Sequence, residues 1–144
     1  VLETSIGLDR MFLAVFSNSL VEEKLDGGGA RTVLKLPAVL APVKAAILPL
    51  LKEHGLPEIA NEIIDDLKWS MKVAYEEKDS IGKRYARHDL NGTPYCVTID
   101  HETKEDHAVT VRDRDTMTQE RIAIKDLKSY LEKRVSMSEW LKKI

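Results

Sequence analysis

The chain has 144 residues, of which 43% are hydrophobic and 32% charged, with a net charge of −2. That is the length and balance of one ordinary globular domain, and it excludes a disordered or membrane-embedded chain. A net charge near zero also means that any nucleic-acid binding must come from a local patch, and the single cysteine, Cys96, excludes an internal disulfide and fits a reducing cytoplasm.

The first residues, VLETSIGLDR, run from a strand-like apolar stretch into a helix-like one, with Gly7 and Arg10 at the change. A glycine lets a ligand approach the backbone, and an arginine on the first helical turn meets a phosphate or stacks on a base. The alternative is a strand-to-helix turn with a solvated arginine. Residues 11–25, MFLAVFSNSLVEEKL, begin helical and nearly all-round apolar, the pattern of a helix inside a larger body. The glycines of DGGGAR then predict a flexible linker over 26–32 and a domain boundary. No signal peptide is recognisable, and a start at Val1 suggests that something upstream has been removed. Stretches such as LPAVLAPV are too short and too proline-broken to span a bilayer.

Beyond the boundary, RTVLKLP and AAILPLL read as extended segments. Pro57 and Glu58 open a helix whose apolar stripe is Ile59, Ile63, Ile64 and Leu67. MKVAY is a short strand, and Ser80 caps a helix that runs through about His88 and stops at Asn91-Gly92. PYCVTID and HAVTVRD form a hairpin across a polar tip, QERIAI alternates as a half-buried strand, and Leu127, Tyr130, Leu131 and Val135 mark a last helix. This order implies a mixed-sheet α/β domain.

Two stretches after the boundary carry candidate chemistry. In SIGKRYARHD, Lys83, Arg84 and Arg87 form a cationic cluster around Tyr85, suited to phosphate contact with base stacking, or else a solvated helix face. In VRDRDTMTQERI, Arg112 and Arg114 point one way along a strand, and Asp113 and Asp115 the other. Interleaved arginines and carboxylates read base edges, or else pair across strands. His54, His88, His101 and His107 are expected to be solvated, with no metal site, and Cys96 is a small core residue. No nucleophile with a base and no glycine-rich phosphate loop supports a small metabolite enzyme.

Taken together, LETSIGLDRMFLAV resembles the third signature motif of the class II glycyl-tRNA synthetases of the dimeric type. RTVLKLPAVLAPVKAAILPL, SIGKRYARHDLNGTPYCVTID and VTVRDRDTMTQERI resemble the C-terminal anticodon-binding domain of that family. The likeness runs in order from residue 2 to about 131, while VSMSEWLKKI at the end matches nothing reliable. It implies a class IIa anticodon-binding domain, a mixed five-stranded sheet flanked by about three helices, over 33–144, after a strand-helix remnant of the catalytic domain over 1–25.

By position, the resemblance places Glu3 and Ser5 at the glycine pocket and Gly7, Leu8, Asp9 and Arg10 at ATP. It implies ATP and Mg²⁺ for the full-length enzyme, which joins glycine to its tRNA through glycyl-adenylate, and neither cofactor nor catalysis for this chain alone. The implied partner is the anticodon loop of the glycine tRNA, with no DNA and no membrane, in a cytoplasmic homodimer of which this piece is a monomer. Glycine anticodons end in two cytosines, whose edges call for a carboxylate or carbonyl beside an arginine or amide. Asp113, Asp115 and Glu120 are the candidate acceptors, Arg112 and Arg114 the donors, and Lys83, Arg84 and Arg87 the backbone contacts. The competing reading is an accessory or regulatory interaction module of the same fold. Residues 2–25 are expected to be poorly ordered, or packed unlike their counterpart in the intact enzyme.

Overall fold

The computed structural model describes residues 1–25 and 28–142. In chain order the elements are α1 (Leu8–Ser19), β1 (Leu20–Lys24), β2 (Ala30–Leu34), β3 (Ala45–Pro49), α2 (Leu56–Leu67), β4 (Val73–Tyr75) and α3 (Ile81–Leu90). There follow β5 (Tyr95–Ile99), α4 (Thr103–Asp106), β6 (Ala108–Asp113), β7 (Gln119–Ala123), α5 (Ile124–Val135) and α6 (Met137–Leu141). Five strands form one mixed sheet in the order β4-β3-β5-β6-β7. β3 runs parallel to β4 and β5, and β5, β6 and β7 are antiparallel in turn. The α/β class and the mixed five-stranded sheet are as the sequence implies.

The period of two along each strand divides the residues between two faces. On one face Ala45 and Ile47 of β3, Val97 and Ile99 of β5 and Val109 and Val111 of β6 meet Leu56, Ala60, Ile63 and Leu67 of α2 and Leu127, Leu131 and Val135 of α5. Each fully buried aliphatic side chain there contributes about 1.5–3 kcal/mol. On the other face Ala46, Leu48 and Cys96 make a much smaller apolar cluster with Ile81 and Tyr85 of α3. The two faces therefore differ in kind: one is an oily core, the other is largely polar.

At the N-terminal end the structure departs from expectation. The helix stops at Ser19, not near residue 25. In its last turn Ser17, Asn18 and Ser19 turn their side chains back onto the carbonyls of Leu13, Ala14 and Val15, each at 2.7 Å. Such back-bonding competes with the helix ladder. Leu20 is already extended, and β1 pairs antiparallel with β2 from Leu20↔Leu34 to Lys24↔Ala30. The expected linker at 26–32 is thus strand from Ala30 onward; Asp26 and Gly27 lie outside the described residues. Gly28, at φ +82°, and Gly29 belong to the hairpin connection, with the Leu25 amide donating to Gly29 O. A boundary between residues 32 and 33 falls inside β2. α1 itself buries only Ser19, and Leu8, Phe12 and Leu13 are 75%, 67% and 65% exposed.

The hairpin is held to the domain where α3 ends. Gly92 sits at φ +78°, and a Cβ there would lie 3.1 Å from Leu34 Cδ2 and 3.2 Å from Leu34 O of β2. Gly92→Ala is expected to destabilise the fold by about 1–2 kcal/mol from the left-handed backbone, with crowding of β2 adding to it, measured as a lower urea midpoint. An unchanged midpoint would show that residue 92 does not hold this left-handed conformation against β2 in solution.

Candidate nucleic-acid interface

α3, the β6–β7 turn and the β1–β2 hairpin converge on one groove of about 450 Å³, open to solvent. Its charged floor centres on Asp89, which α3 carries and which is only 3% exposed. Arg112 of β6 meets this carboxylate end-on, with Nη1 donating to Oδ1 at 2.8 Å and Nη2 to Oδ2 at 3.0 Å. From β2, Arg31 donates Nη1 to Asp89 Oδ2 at 2.9 Å. Arg31 also donates to Glu23 of β1, at 2.6 and 2.9 Å, and to the backbone carbonyl of Arg114 at 3.0 Å. Lys35 closes a second ion pair on Glu23, and these two cations hold the Glu23 carboxyl below its usual range. The Arg112 guanidinium lies over the Tyr85 ring, 4.8 Å from its centroid, a cation–π contact. Tyr85 in turn hydrogen-bonds Thr98 of β5 through its hydroxyl, at 2.7 Å.

The two candidate stretches of the sequence thus meet, but not as one set of contacts. Arg84 is a correction: expected on an exposed cationic face, it is 1% exposed. Its Nη1 donates to the carbonyls of Pro49 and Glu76, at 2.7 and 3.2 Å, and its Nη2 to that of Leu50 at 3.3 Å. It therefore satisfies carbonyls at the C-terminal ends of β3 and β4, groups that a parallel sheet leaves without strand partners. Arg87 is half-buried and tied to Glu76 and Asp79, while Lys83 stays exposed with no hydrogen bond or ion pair among the described residues.

Arg114 is a second correction, being 2% exposed. Its guanidinium grips Asp115 through Nε at 2.8 Å and Nη2 at 2.9 Å, and donates to the carbonyls of Gly92 and Leu36. Arg112 is 6% exposed and shows itself only at the groove floor. The expected carboxylate set is split as well. Asp113 pairs in register with Tyr95, and Glu120 with Val111, which puts both on the α5 side of the sheet, away from the groove. Asp113 Oδ1 accepts from the amides of Asp115 and Thr116 and so shapes the turn. Glu120 accepts from Tyr130 at 2.8 Å. Sequence reading missed Asp89 as the partner of Arg112, and Arg31 as the second cation on that carboxylate. Glu23 opposite Arg31 in two alternating strands was the signal available for half of that network.

His88 also differs from expectation. His54, His101 and His107 are exposed, but His88 is 6% exposed. Its Nδ1 lies 3.3 Å from Thr93 Oγ1, and its Nε2 lies 3.2 Å from a Glu76 oxygen without hydrogen-bond geometry. Burial pushes its pKa below 6.5, and the Glu76 charge only partly offsets this. Cys96 is in the core as expected, its thiol pushed up to about 12 by burial.

At the N-terminus, Glu3, Ser5 and Gly7–Arg10 are all exposed, and none of their side chains meets a polar partner among the described residues. Leu8 lines an apolar groove with Phe12, Phe16 and Leu36, which offers nothing to a triphosphate. These residues alone build neither an ATP site nor a glycine pocket among the described residues. No described helix is long and apolar enough to cross a membrane.

A family model for the anticodon binding domain matches residues 44–134. The chain is 48% identical over 131 residues to a glycine–tRNA ligase of Borrelia hermsii, covering 91% of this chain and 29% of that protein. It is 47% identical over 135 residues to a glycine–tRNA ligase of Clostridium acetobutylicum, covering 94% of this chain and again 29% of the relative. The chain therefore spans less than a third of the length of these relatives. Among solved structures, the RNA binding domain of threonyl-tRNA synthetase from Cryptosporidium parvum aligns with a TM-score of 0.63 at 25% identity, over 70% of this chain and 26% of that one. Prolyl-tRNA synthetase of the same organism shares the fold, with a TM-score of 0.64 at 20% identity, over 85% of this chain and 32% of that one.

Two expectations follow from the geometry. Asp89→Asn removes the carboxylate that two buried guanidiniums share, and is expected to cost about 3–5 kcal/mol in urea unfolding; a loss under about 1 kcal/mol, the scale of a solvated pair, would contradict the network. His88 is held neutral, so its contribution is present above pH 6.5 and is lost as pH falls through that value toward its lower folded pKa. The melting temperature should fall between about pH 7.5 and about pH 5.5, and less steeply in His88→Gln. Equal slopes would mean that His88 takes its proton without penalty.

Proposed function

The chain belongs to the anticodon binding domain family, and on that premise we propose that it is the anticodon-reading part of a glycine–tRNA ligase. What carries the reading is the 48% identity, over 91% of the chain, to a protein of that name. The longer enzyme would activate glycine with ATP and Mg²⁺ and transfer it to tRNA as a cytoplasmic homodimer, while this chain alone binds RNA as a monomer and catalyses nothing. In that longer protein Glu3 and Ser5 face the glycine ammonium, and Gly7, Leu8, Asp9 and Arg10 face ATP. A carboxylate suits the ammonium and a guanidinium the phosphates. Completing those sites requires a body that these residues do not supply by themselves.

The RNA-binding surface we propose is the end of the domain that carries α3 and the β6–β7 turn. Lys83 and Arg87 stand on the outer side of α3 for the RNA backbone. Arg112 faces the bases from the groove floor, with Asp115 in the adjoining cleft that shares Leu25, Arg31 and Met117 with it. Arg84 and Arg114 act by holding these elements in place, and Asp113 by shaping the turn. Glu120 contributes through the Tyr130 hydroxyl on the other side of the sheet.

The test is a titration of the chain with a stem-loop RNA bearing the glycine anticodon, beside one with both cytosines replaced, at one fixed salt concentration. Replacement is expected to weaken binding at least about tenfold, the lower end for losing a specific base contact. Equal, salt-sensitive binding of the two would overturn anticodon reading and leave a basic patch; no binding at all would favour an interaction module.

A further inference from the structure

Arg84 differs from the other arginines that the fold buries. Arg112 meets the carboxylate of Asp89, and Arg114 that of Asp115. Arg84, at 1% exposure, makes no ion pair among the described residues. Its guanidinium is held by main-chain carbonyls alone, those of Pro49 at 2.7 Å, Glu76 at 3.2 Å and Leu50 at 3.3 Å. Pro49 closes β3, and Leu50 and Glu76 are the first residues past β3 and β4, which run side by side and parallel. A fully buried charge without a counter-ion is rare, and arginine cannot escape by losing its proton. What stabilises it here is the negative ends of carbonyl dipoles converging from two strand ends, the means by which backbone oxygens replace the hydration of a cation. The acceptors are spread over both terminal nitrogens, a pattern that suits a planar fork and not a point charge. The strand ends thus have the chemistry of a cation site.

We propose that the carboxyl ends of β3 and β4 form a binding site for a planar guanidinium cation, and that Arg84 is its tethered occupant. The tether adds no polar contact, because Arg84 Nε is buried with no hydrogen-bond partner among the described residues. Recognition lies at Nη1 and Nη2, groups that a free guanidinium ion also has. The consequence is positional. Arg84 joins the first half of α3 to both strand ends, while its neighbour Lys83 faces solvent. It is therefore a positioning residue for Lys83 and Arg87. This second half of the inference rests on the reading above that those two residues meet the RNA backbone.

The test is chemical rescue. Arg84→Ala vacates the site, and Arg84→Met fills it with an uncharged chain; each leaves buried carbonyls without a donor. Both variants are expected to melt on the order of 10 °C below the unaltered chain. All would be melted in guanidinium chloride up to about 50 mM, too little to denature, with sodium chloride holding the ionic strength constant. Guanidinium is expected to raise the melting temperature of Arg84→Ala by a few degrees, as a ligand of the folded state does. It should slightly lower that of Arg84→Met and of the unaltered chain, and urea, planar but neutral, should rescue neither variant. In the same solutions the affinity of Arg84→Ala for the glycine anticodon stem-loop should fall and then recover with guanidinium, while that of Arg84→Met falls and stays low. An Arg84→Ala that melts with the unaltered chain, gains nothing from guanidinium or stays unfolded in it would overturn the cation site. So would an equal gain in Arg84→Met, the mark of a general salt effect. Undiminished RNA affinity in Arg84→Ala would overturn the positioning role alone. If the unaltered chain does not bind the stem-loop, the functional reading falls and the positioning role with it, and the melting curves still decide the cation site.

Discussion

The carboxylate of Asp89 is where three separate parts of the chain are made to agree. It rides on α3, receives Arg112 from the central sheet, and receives Arg31 from the hairpin. A buried carboxylate facing two guanidiniums is not a cheap source of stability, because all three charges give up hydration. What the arrangement enforces is geometry. End-on, bidentate pairing fixes the plane of Arg112, and Arg31 is fixed between Asp89 and Glu23 so that the hairpin has one seat and not a family of them. The Arg31 bond to the carbonyl of Arg114 carries the constraint on to the β6–β7 turn.

The same division of labour runs through the whole sheet. Its α2/α5 face is filled by aliphatic side chains at the period of two, and provides the non-directional driving force for folding. Its α3 face has a small apolar cluster and is otherwise held by directed polar contacts: Arg84 on strand-end carbonyls, Tyr85 on Thr98, Arg112 on Asp89. An apolar core tolerates small sliding of a helix over a sheet, whereas these bonds do not. A surface that has to present a few donors in fixed positions is better built on the second kind of face, with the first kind supplying the stability that it lacks.

That division also explains what was legible in the sequence. Strands such as AAILP, YCVTI and AVTVRD announced themselves through β-branched and apolar runs, and Pro57 and Glu58 marked the start of α2, because local preference and tertiary packing agree there. Lys83, Arg84 and Arg87 looked like one solvated patch because residue type speaks only for the usual case. Arg84 and His88, one helical turn apart, point inward, and what buries Arg84 is a set of backbone carbonyls from residues 49, 50 and 76 that no local pattern reveals. The hairpin was hidden for a different reason. Glycines between two apolar stretches suit a flexible linker and a tight connection equally, and only the alternation of Val21 and Glu23 against Arg31 and Val33 tells them apart. Helix-forming residues before it pulled the reading of β1 into α1.

Charge is the last constraint. With a net charge of −2, the chain does not draw a polyanion to itself from a distance. Arg84, Arg112 and Arg114 are buried and committed inside the fold, so these three add nothing to the charge that the surface presents to a phosphate. Discrimination by such a surface rests on short-range fit more than on the field of the whole chain. Pairing the groove cations internally is consistent with that design, because an unpaired arginine there would favour any phosphate over the one correct base.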